Sequence, residues 1–316
     1  MAKYIATRLV SVIPTLFGIS VLVFLAVRFI PGTIVDQILG ADSIPTQETI
    51  DSLRAYFGID QPIHTQYLRW IGDAVQGDLG TSWRTSQPVA SMIAARLPVT
   101  IELTVAAMFV ALVTGIPLGI LSAMRENTRL DHVIRIASLF SLSVPIFWQA
   151  AMLILVLSLW FNWTPPAGYV GPIEEPGTNF RMMILPSIVL GTSVSATIMR
   201  MTRSSMLDVM RQDYIRTARA KGQAERVIVW AHGLKNALIP VITVAGLQVG
   251  YLLGGAVITE EVFTLPGLGR LVLGAIHQRD YPVVQGAVLF IAAMFILINL
   301  IVDVIYAYVN PTLRYD

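Results

Sequence analysis

The sequence predicts an all-α integral membrane protein with about six transmembrane helices. Its 316 residues are 55% hydrophobic and 13% charged, with a mean hydropathy of +0.67, whereas soluble globular domains carry about 25% charged residues. The apolar residues come in blocks close to the ~20 residues that cross ~30 Å of hydrocarbon. The cations, in contrast, concentrate in alternate connections between these blocks. Together these observations predict a multi-pass protein and exclude a soluble enzyme.

Each predicted span is one apolar block. The six blocks are residues 9–29, 101–124, 133–160, 183–201, 238–258 and 283–309. Pro145 interrupts the third block and Pro186 the fourth, which helix bundles tolerate because neighbouring groups re-satisfy the freed backbone. The first block is too long for a signal peptide and lacks a small-residue cleavage site, so we interpret it as an uncleaved span.

The distribution of cations predicts the orientation. Basic residues precede the first span and follow the last, and they also fill the connections after the second and fourth spans. Basic connections favour the cytoplasmic side, so we expect cytoplasmic N- and C-termini. The chain then forms one transmembrane domain, 1–316, with a cytoplasmic loop at 202–237.

The remaining connections are predicted to be extracytoplasmic, namely 30–100, 164–177 and 260–281. The first of these is the longest, and it contains an amphipathic helix at 46–57, where Ile50, Leu53 and Phe57 recur at helical spacing.

The connection between the fourth and fifth spans carries the most distinctive pattern. Residues 213–240 read DYIRTARAKGQAERVIVWAHGLKNALIP. They predict a helix that ends at Ala220, a turn at Lys221-Gly222, where glycine permits the left-handed conformation, and a second helix from Gln223. The second helix mixes a carboxylate with apolar side chains, which favours docking on a protein over the alternative, binding to anionic lipid headgroups.

Motifs for catalysis are missing from the sequence. It has no GxxxxGK[ST] loop, no GxSxG elbow, no HExxH pair and no cysteine, and its four histidines are scattered. We therefore expect no catalytic, cofactor or metal site in this chain, and no nucleic-acid partner.

Two sets of residues within the spans are candidates for packing or for the pathway. The glycines at four-residue spacing are Gly115, Gly119, Gly246, Gly250 and Gly254. They indicate close helix packing, either inside one bundle or at a moving contact between subunits.

The second set is acidic and consists of Glu102, Glu260, Glu261 and Asp303. An ionisable group in a span is costly and often functional, so Asp303 either serves the pathway or pairs with a cation such as Arg8. Glu102, near the outer end of the second span, likewise either serves the pathway or pairs structurally, whereas Glu260 and Glu261 either line an outer mouth or are solvated.

Three long segments resemble a known family. They read YFGIDQPIHTQYLRWIGDAVQGDLGTSW at 56–83, RTARAKG at 216–222 with HGLKNALIPV at 232–241, and FTLPGLGRLVLGAIHQRDYPVVQG at 263–286. In this order they are similar to inner-membrane permease subunits of the dipeptide/oligopeptide/nickel branch of ABC importers. The wider superfamily starts its coupling loop with Glu-Ala-Ala, where this chain has Arg216, Thr217 and Ala218.

The resemblance implies a type I importer permease fold in a bacterial or archaeal cytoplasmic membrane. It also implies a second homologous permease subunit, two ATPase subunits that bind ATP and Mg, and an extracytoplasmic substrate-binding protein. A coupling helix at about 220–226 would fit a groove of one ATPase subunit, and the two permeases would switch access by rigid-body motion. The implied coupling residues are Arg216, Arg219, Ala220, Lys221, Gly222, Gln223, Ala224, Glu225 and Arg226.

Peptides are the expected substrates, and nickel complexes or oligosaccharides are the alternatives within the same architecture. An alternative of another class is a self-sufficient channel or secondary carrier, which would give the basic loop at 213–235 no role.

Overall fold

The computed structural model describes residues 2–29, 35, 46–56 and 58–309, and the regular elements of this part are helices. In chain order they are α1 (Ala2–Arg28), α2 (Gln47–Tyr56), α3 (Ile63–Val75), α4 (Val89–Met124), α5 (Arg129–Ser143), α6 (Ile146–Phe161), α7 (Pro176–Met210), α8 (Asp213–Ala220), α9 (Lys235–Val262), α10 (Leu268–His277) and α11 (Tyr281–Val309). Five described helices are long and apolar enough to cross a membrane, or six if the bent pair α5–α6 is one span. The predicted fold class and span count are confirmed.

The helices α4 and α7 form the centre of the bundle and extend well beyond their predicted spans. They contain 36 and 35 residues, so each is over 50 Å long at ~1.5 Å per residue. We name the two ends of the bundle by their connections. The loop end carries residues 125–128 and 211–235, and the opposite end carries residues 76–88, 162–175 and 263–280.

Glycines allow α4 and α7 to approach closely. A β-carbon on Gly115 would lie 2.8 Å from the Ser195 carbonyl oxygen, and one on Gly119 would lie 2.6 Å from Thr202 Cβ. Gly191 of α7 also allows the close approach, because a β-carbon on Gly191 would lie 2.6 Å from a carbonyl oxygen of α4. Gly115 and Gly119 therefore pack against α7 inside the bundle.

The second glycine stripe packs only in part. A β-carbon on Gly246 would overlap Val302 of α11, and one on Gly250 would lie 2.8 Å from Phe295 Cδ2. A β-carbon on Gly254 would meet no atom of the described chain within 4 Å, so the packing predicted for Gly254 within this chain is wrong. The reason is that steps of four residues drift by about 40° around a helix of 3.6 residues per turn, which turns Gly254 about 80° away from Gly246.

We expect Gly119→Ala to destabilise the protein and Gly254→Ala to leave its stability unchanged or slightly increased. The Gly119 methyl group would force α4 and α7 apart, at a cost of about 1–3 kcal/mol. At Gly254 the methyl group enters open space, and alanine improves helix propensity by up to about 1 kcal/mol. Unfolding of the two purified variants in the same detergent, followed by circular dichroism, measures the difference; equal stability of both variants would contradict the packing.

The predicted third span, 133–160, is two helices rather than one. α5 and α6 are bent by 105° at Val144-Pro145. Proline disfavours a helical residue before it, and Val144 accordingly has φ −83° and ψ 126°. The Gln149 amide nitrogen donates to the carbonyl oxygens of Ser141 and Val144, at 2.9 Å each. The carbonyl groups that lose their helical hydrogen bonds at the break therefore find a donor within the chain.

The helix predicted at 46–57 is confirmed as α2, although Phe57 lies outside the described residues. The following helix, α3, packs on α1. The hydroxyls of Tyr67 and Ser20 lie 2.9 Å apart, and the Arg28 guanidinium sits 3.5 Å from the Phe24 ring centroid and donates to Gln66 Oε1.

Candidate functional site

The loop end presents an exposed helix, α8, followed by a tight turn. α8 buries Ile215 completely, while the side chains from Arg216 to Val227 are exposed apart from half-buried Ala218. The Tyr214 hydroxyl accepts a hydrogen bond of 2.9 Å from the Asn236 amide. One apolar anchor and one polar contact therefore hold α8 against the start of α9.

The turn is the one the sequence predicts. Gly222 has φ +77°, and its N–H donates to the Arg219 carbonyl oxygen at 2.9 Å, which is typical of a helix that ends in the left-handed conformation. A coupling helix at 220–226, however, is wrong, because Gly222 ends the helical path after Ala220 and the next helical residue is Glu225. The helix of this loop is α8, and residues 221–224 form the turn.

Arg219 and Glu225 close the turn from either side. The Arg219 Nε and Nη2 atoms lie 3.1 and 2.6 Å from the two carboxylate oxygens of Glu225. This contact raises the pKa of Arg219. An exposed pair of this kind adds little stability, but it links α8 at two points to the helical segment that follows.

The second half of the loop runs without interruption into α9. A turn of helix at Glu225–Val227 leads into a π-helical stretch, Ile228–Leu234, and then into α9. The separate second helix predicted from Gln223 is therefore the start of the fifth span. The structure brings Gln223 back onto this stretch, with its amide oxygen 2.9 Å from His232 Nε2.

An exposed tryptophan lies beside the turn. Trp230 is 56% exposed and Val227 is 47% exposed, and together with Arg226 and Ala231 they line an open depression of about 510 Å³. Tryptophan and arginine are enriched in the contact patches of protein–protein interfaces. The predicted coupling residues thus border a surface with the chemistry of a docking site.

A buried ion pair under this surface was not predicted. The Asp131 carboxylate is fully buried and accepts hydrogen bonds from Arg203 Nε and Nη2 at 2.9 and 2.8 Å, from Ser122 Oγ at 2.5 Å and from the Asn127 N–H at 3.0 Å. It joins α4, α5 and α7 at the loop end. The Thr128-x-x-Asp131 pattern indicates a helix start, but nothing in it identifies Arg203 as the partner.

Glu260, at the opposite end, is buried rather than solvated. Its carboxylate accepts from Thr100 Oγ1 at 2.7 Å and from the Arg270 N–H at 3.0 Å, and the Thr100 hydroxyl accepts from the Leu268 N–H at 2.8 Å. The solvated interpretation of Glu260 is wrong because the first turn of α10 covers the carboxylate. A side chain on Gly267 would overlap Glu260, so the glycine lets the backbone donors approach.

The other acidic candidates have separate surroundings. Glu261 pairs with Arg270 at 3.4 Å. Glu102 accepts a hydrogen bond of 2.6 Å from the Tyr169 hydroxyl, whose pKa is raised by burial and by this carboxylate. Asp303 borders a cavity of about 200 Å³ between α1 and α11, and its predicted partner Arg8 has a side chain outside the described residues.

Two of the segments that resemble the importer family meet at the opposite end. The Asp280 carboxylate is buried and accepts from Ser82 Oγ at 2.5 Å and from the Trp83 N–H at 3.1 Å. The Trp83 and Tyr281 rings are also in contact, with centroids 5.2 Å apart. Across the described residues, no group of three or more His, Cys, Asp or Glu side chains has the arrangement of a metal site.

Comparisons with known proteins agree with this architecture. The model of the family "Binding-protein-dependent transport system inner membrane component" matches residues 115–315, and the model of its N-terminal part matches residues 1–104. The chain is 42% identical to the di/tripeptide transport system permease protein DppB of Pseudomonas aeruginosa and 43% identical to the glutathione transport system permease protein GsiC of Escherichia coli, with 100% of each chain covered. It is 44% identical to the dipeptide permease DppB of Escherichia coli, over 100% of this chain and 99% of that one.

A solved structure of the MetNI methionine ABC transporter in an inward-facing conformation shares the fold. The TM-score is 0.57 at 19% identity, over 69% of this chain and 96% of that chain. The chain therefore belongs to the family of inner-membrane components of binding-protein-dependent transport systems.

Proposed function

We propose that this protein is the membrane-spanning permease subunit of an ATP-driven importer and forms half of a pathway for di- and oligopeptides. The observation that carries the proposal is similarity over the full chain to permeases named for di- and tripeptides, for dipeptides and for glutathione, which is itself a tripeptide. A second, homologous permease subunit supplies the other half of the pathway.

The loop end is the cytoplasmic side in this proposal, and α8 with its turn docks on one of two ATPase subunits. Support comes from exposure, since the side chains from 216 to 227 are almost all exposed, and from the open depression beside Trp230. ATP and Mg bind to those partners, and this chain contributes the docking surface. The opposite end receives a substrate-binding protein.

The unbroken helical path from Glu225 to the end of α9 would let a movement at the loop end reach the opposite end. Residues 225–262 are helical throughout, which corresponds to about 57 Å at ~1.5 Å per residue. A displacement of α8 reaches this helix through the Arg219–Glu225 contact. At the opposite end, the Glu260 carboxylate accepts hydrogen bonds from Thr100 of α4 and from the first turn of α10. Movement of the docking surface is therefore expected to move the opposite end, as in rigid-body switching.

Reconstitution tests the proposal. The permease pair and both ATPase subunits are placed in proteoliposomes with a peptide-loaded binding protein, and uptake of a radiolabelled dipeptide is measured with and without ATP. We expect ATP-dependent uptake that free dipeptides inhibit. Uptake by this chain without ATPase subunits would favour a channel or secondary carrier. ATP-dependent uptake of nickel complexes or oligosaccharides, but not of peptides, would contradict the proposed substrate and support the proposed architecture.

A further inference from the structure

A further cavity lies at the opposite end, beside the contact between Ser82 and Asp280. It has a volume of about 360 Å³ and is lined by Arg96 of α4, by Arg270 of α10, by Gln278, and by Ser82 and Asp280 of the joined segments. One wall belongs to the connection between α3 and α4, where Thr85 is exposed. The cavity therefore opens at the surface of the bundle end and not within its apolar centre.

Among the charged side chains that line this cavity, Arg96 is the candidate partner for an anion. Arg270 donates to the Thr264 carbonyl oxygen at 2.9 Å and pairs with Glu261, and the Asp280 carboxylate accepts hydrogen bonds from Ser82 and Trp83 at the wall of the cavity. Within the described residues, no carboxylate lies within 4 Å of the Arg96 guanidinium, which is half-buried. Arg84 adds a further cation nearby, since its Nε donates at 3.2 Å to the carbonyl oxygen of Gln278, which lines the cavity.

The backbone on either side of α10, which forms one wall of the cavity, is strained. Two residues that are not glycine, Thr264 and Arg279, adopt left-handed conformations on either side of α10, with φ of 55° and 53°. Such a conformation costs energy, most of all for a β-branched residue, and it persists only where surrounding contacts enforce it. The Arg270 side chain supplies one of those contacts through the Thr264 carbonyl. A backbone held in this way loses little entropy when a partner binds.

We propose that this cavity receives an acidic side chain of the substrate-binding protein, with the Arg96 guanidinium as its main partner. The inference rests on the proposed function, which places the binding protein at this end. Charge complementarity argues for the carboxylate, because the guanidinium of Arg96 can bind one with two hydrogen bonds. The carboxylate is expected to come from a protein in solution, because an exposed connection forms one wall of the cavity.

The test measures binding of a dipeptide-loaded substrate-binding protein to the reconstituted permease–ATPase complex in nanodiscs. Arg96→Glu is expected to weaken this binding about tenfold or more and to flatten its dependence on salt. Arg96→Lys keeps the charge but loses the two-point geometry, so it is expected to weaken binding less than Arg96→Glu does. The matched control is Arg69→Glu, because Arg69 is exposed on α3 at the same end and lies outside the cavity.

The outcomes separate the inference from the proposed function. Unchanged binding by Arg96→Glu, or equal weakening by Arg96→Glu and Arg69→Glu, would overturn the inference alone. Binding of free dipeptide to the complex without the binding protein, if lost in Arg96→Glu, would assign the cavity to the substrate carboxylate and also overturn it. A wild-type complex that binds no peptide-binding protein would contradict the proposed function itself.

Discussion

Asp131→Ala is expected to destabilise the protein by about 3 kcal/mol or more, because removal of one member of a buried ion pair leaves the other without compensation. The Asp131 side chain is 0% exposed and the Arg203 side chain 18% exposed. The substitution also leaves the Ser122 hydroxyl and the Asn127 N–H without the acceptor they share. Chemical unfolding of the purified protein in detergent measures the loss.

The matched control is an exposed ion pair at the same end of the bundle. Arg211 Nη2 lies 2.9 Å from Glu126 Oε1, with side-chain exposures of 67% and 36%. Exposed pairs contribute about 0–1 kcal/mol, so Arg211→Ala is expected to change stability little. A loss of similar size in Asp131→Ala and Arg211→Ala would show that burial of the Asp131 carboxylate is not what stabilises this junction.

Gly222→Val is expected to reduce ATP-dependent peptide uptake at least tenfold while the protein still folds. The left-handed conformation of Gly222 costs a residue with a side chain about 1–2 kcal/mol, and valine relieves that strain by opening the turn. Arg219 and Glu225 then no longer meet at 2.6 Å. The altered angle between α8 and the following helix is expected to break transmission, so that ATP is hydrolysed without peptide uptake.

Uptake and ATP hydrolysis are measured in the same proteoliposomes, so the ratio of the two reports coupling. Gly58→Val is the matched control, because Gly58 has φ +65° and follows α2, far in the chain from the loop. It introduces comparable strain without touching α8. Full uptake in Gly222→Val would contradict the role of this turn, and equal loss in both variants would attribute the defect to strain in general.

Local chemistry explains which predictions succeeded. The turn at Lys221-Gly222 is predictable because helices commonly end at a glycine that adopts the left-handed conformation, and this signal is visible in the local sequence. The number of spans is predictable because each apolar block must cross the bilayer. The break near Pro145 is predictable in position, but its 105° angle depends on Gln149 and on the packing of α5 against α7.

Two features that the sequence did not predict depend on contacts between distant residues. Arg203 and Asp131 are 72 positions apart, and no local pattern pairs them. Glu260 is buried because Gly267 admits the first turn of α10, which is known only once the turn is placed. Gly254 does not pack within the described chain because four-residue spacing does not keep a long stripe on one face of a helix. The coupling helix that the resemblance implies at 220–226 is wrong because Gly222, with φ +77°, ends the helical path after Ala220.

Purification of this chain from its native membrane in mild detergent, with identification of every co-purifying protein, tests the central claim most directly. We expect a second homologous permease subunit and ATPase subunits to co-purify. Recovery of the chain alone, or only with further copies of itself, would contradict an importer permease and would favour a self-sufficient channel or carrier.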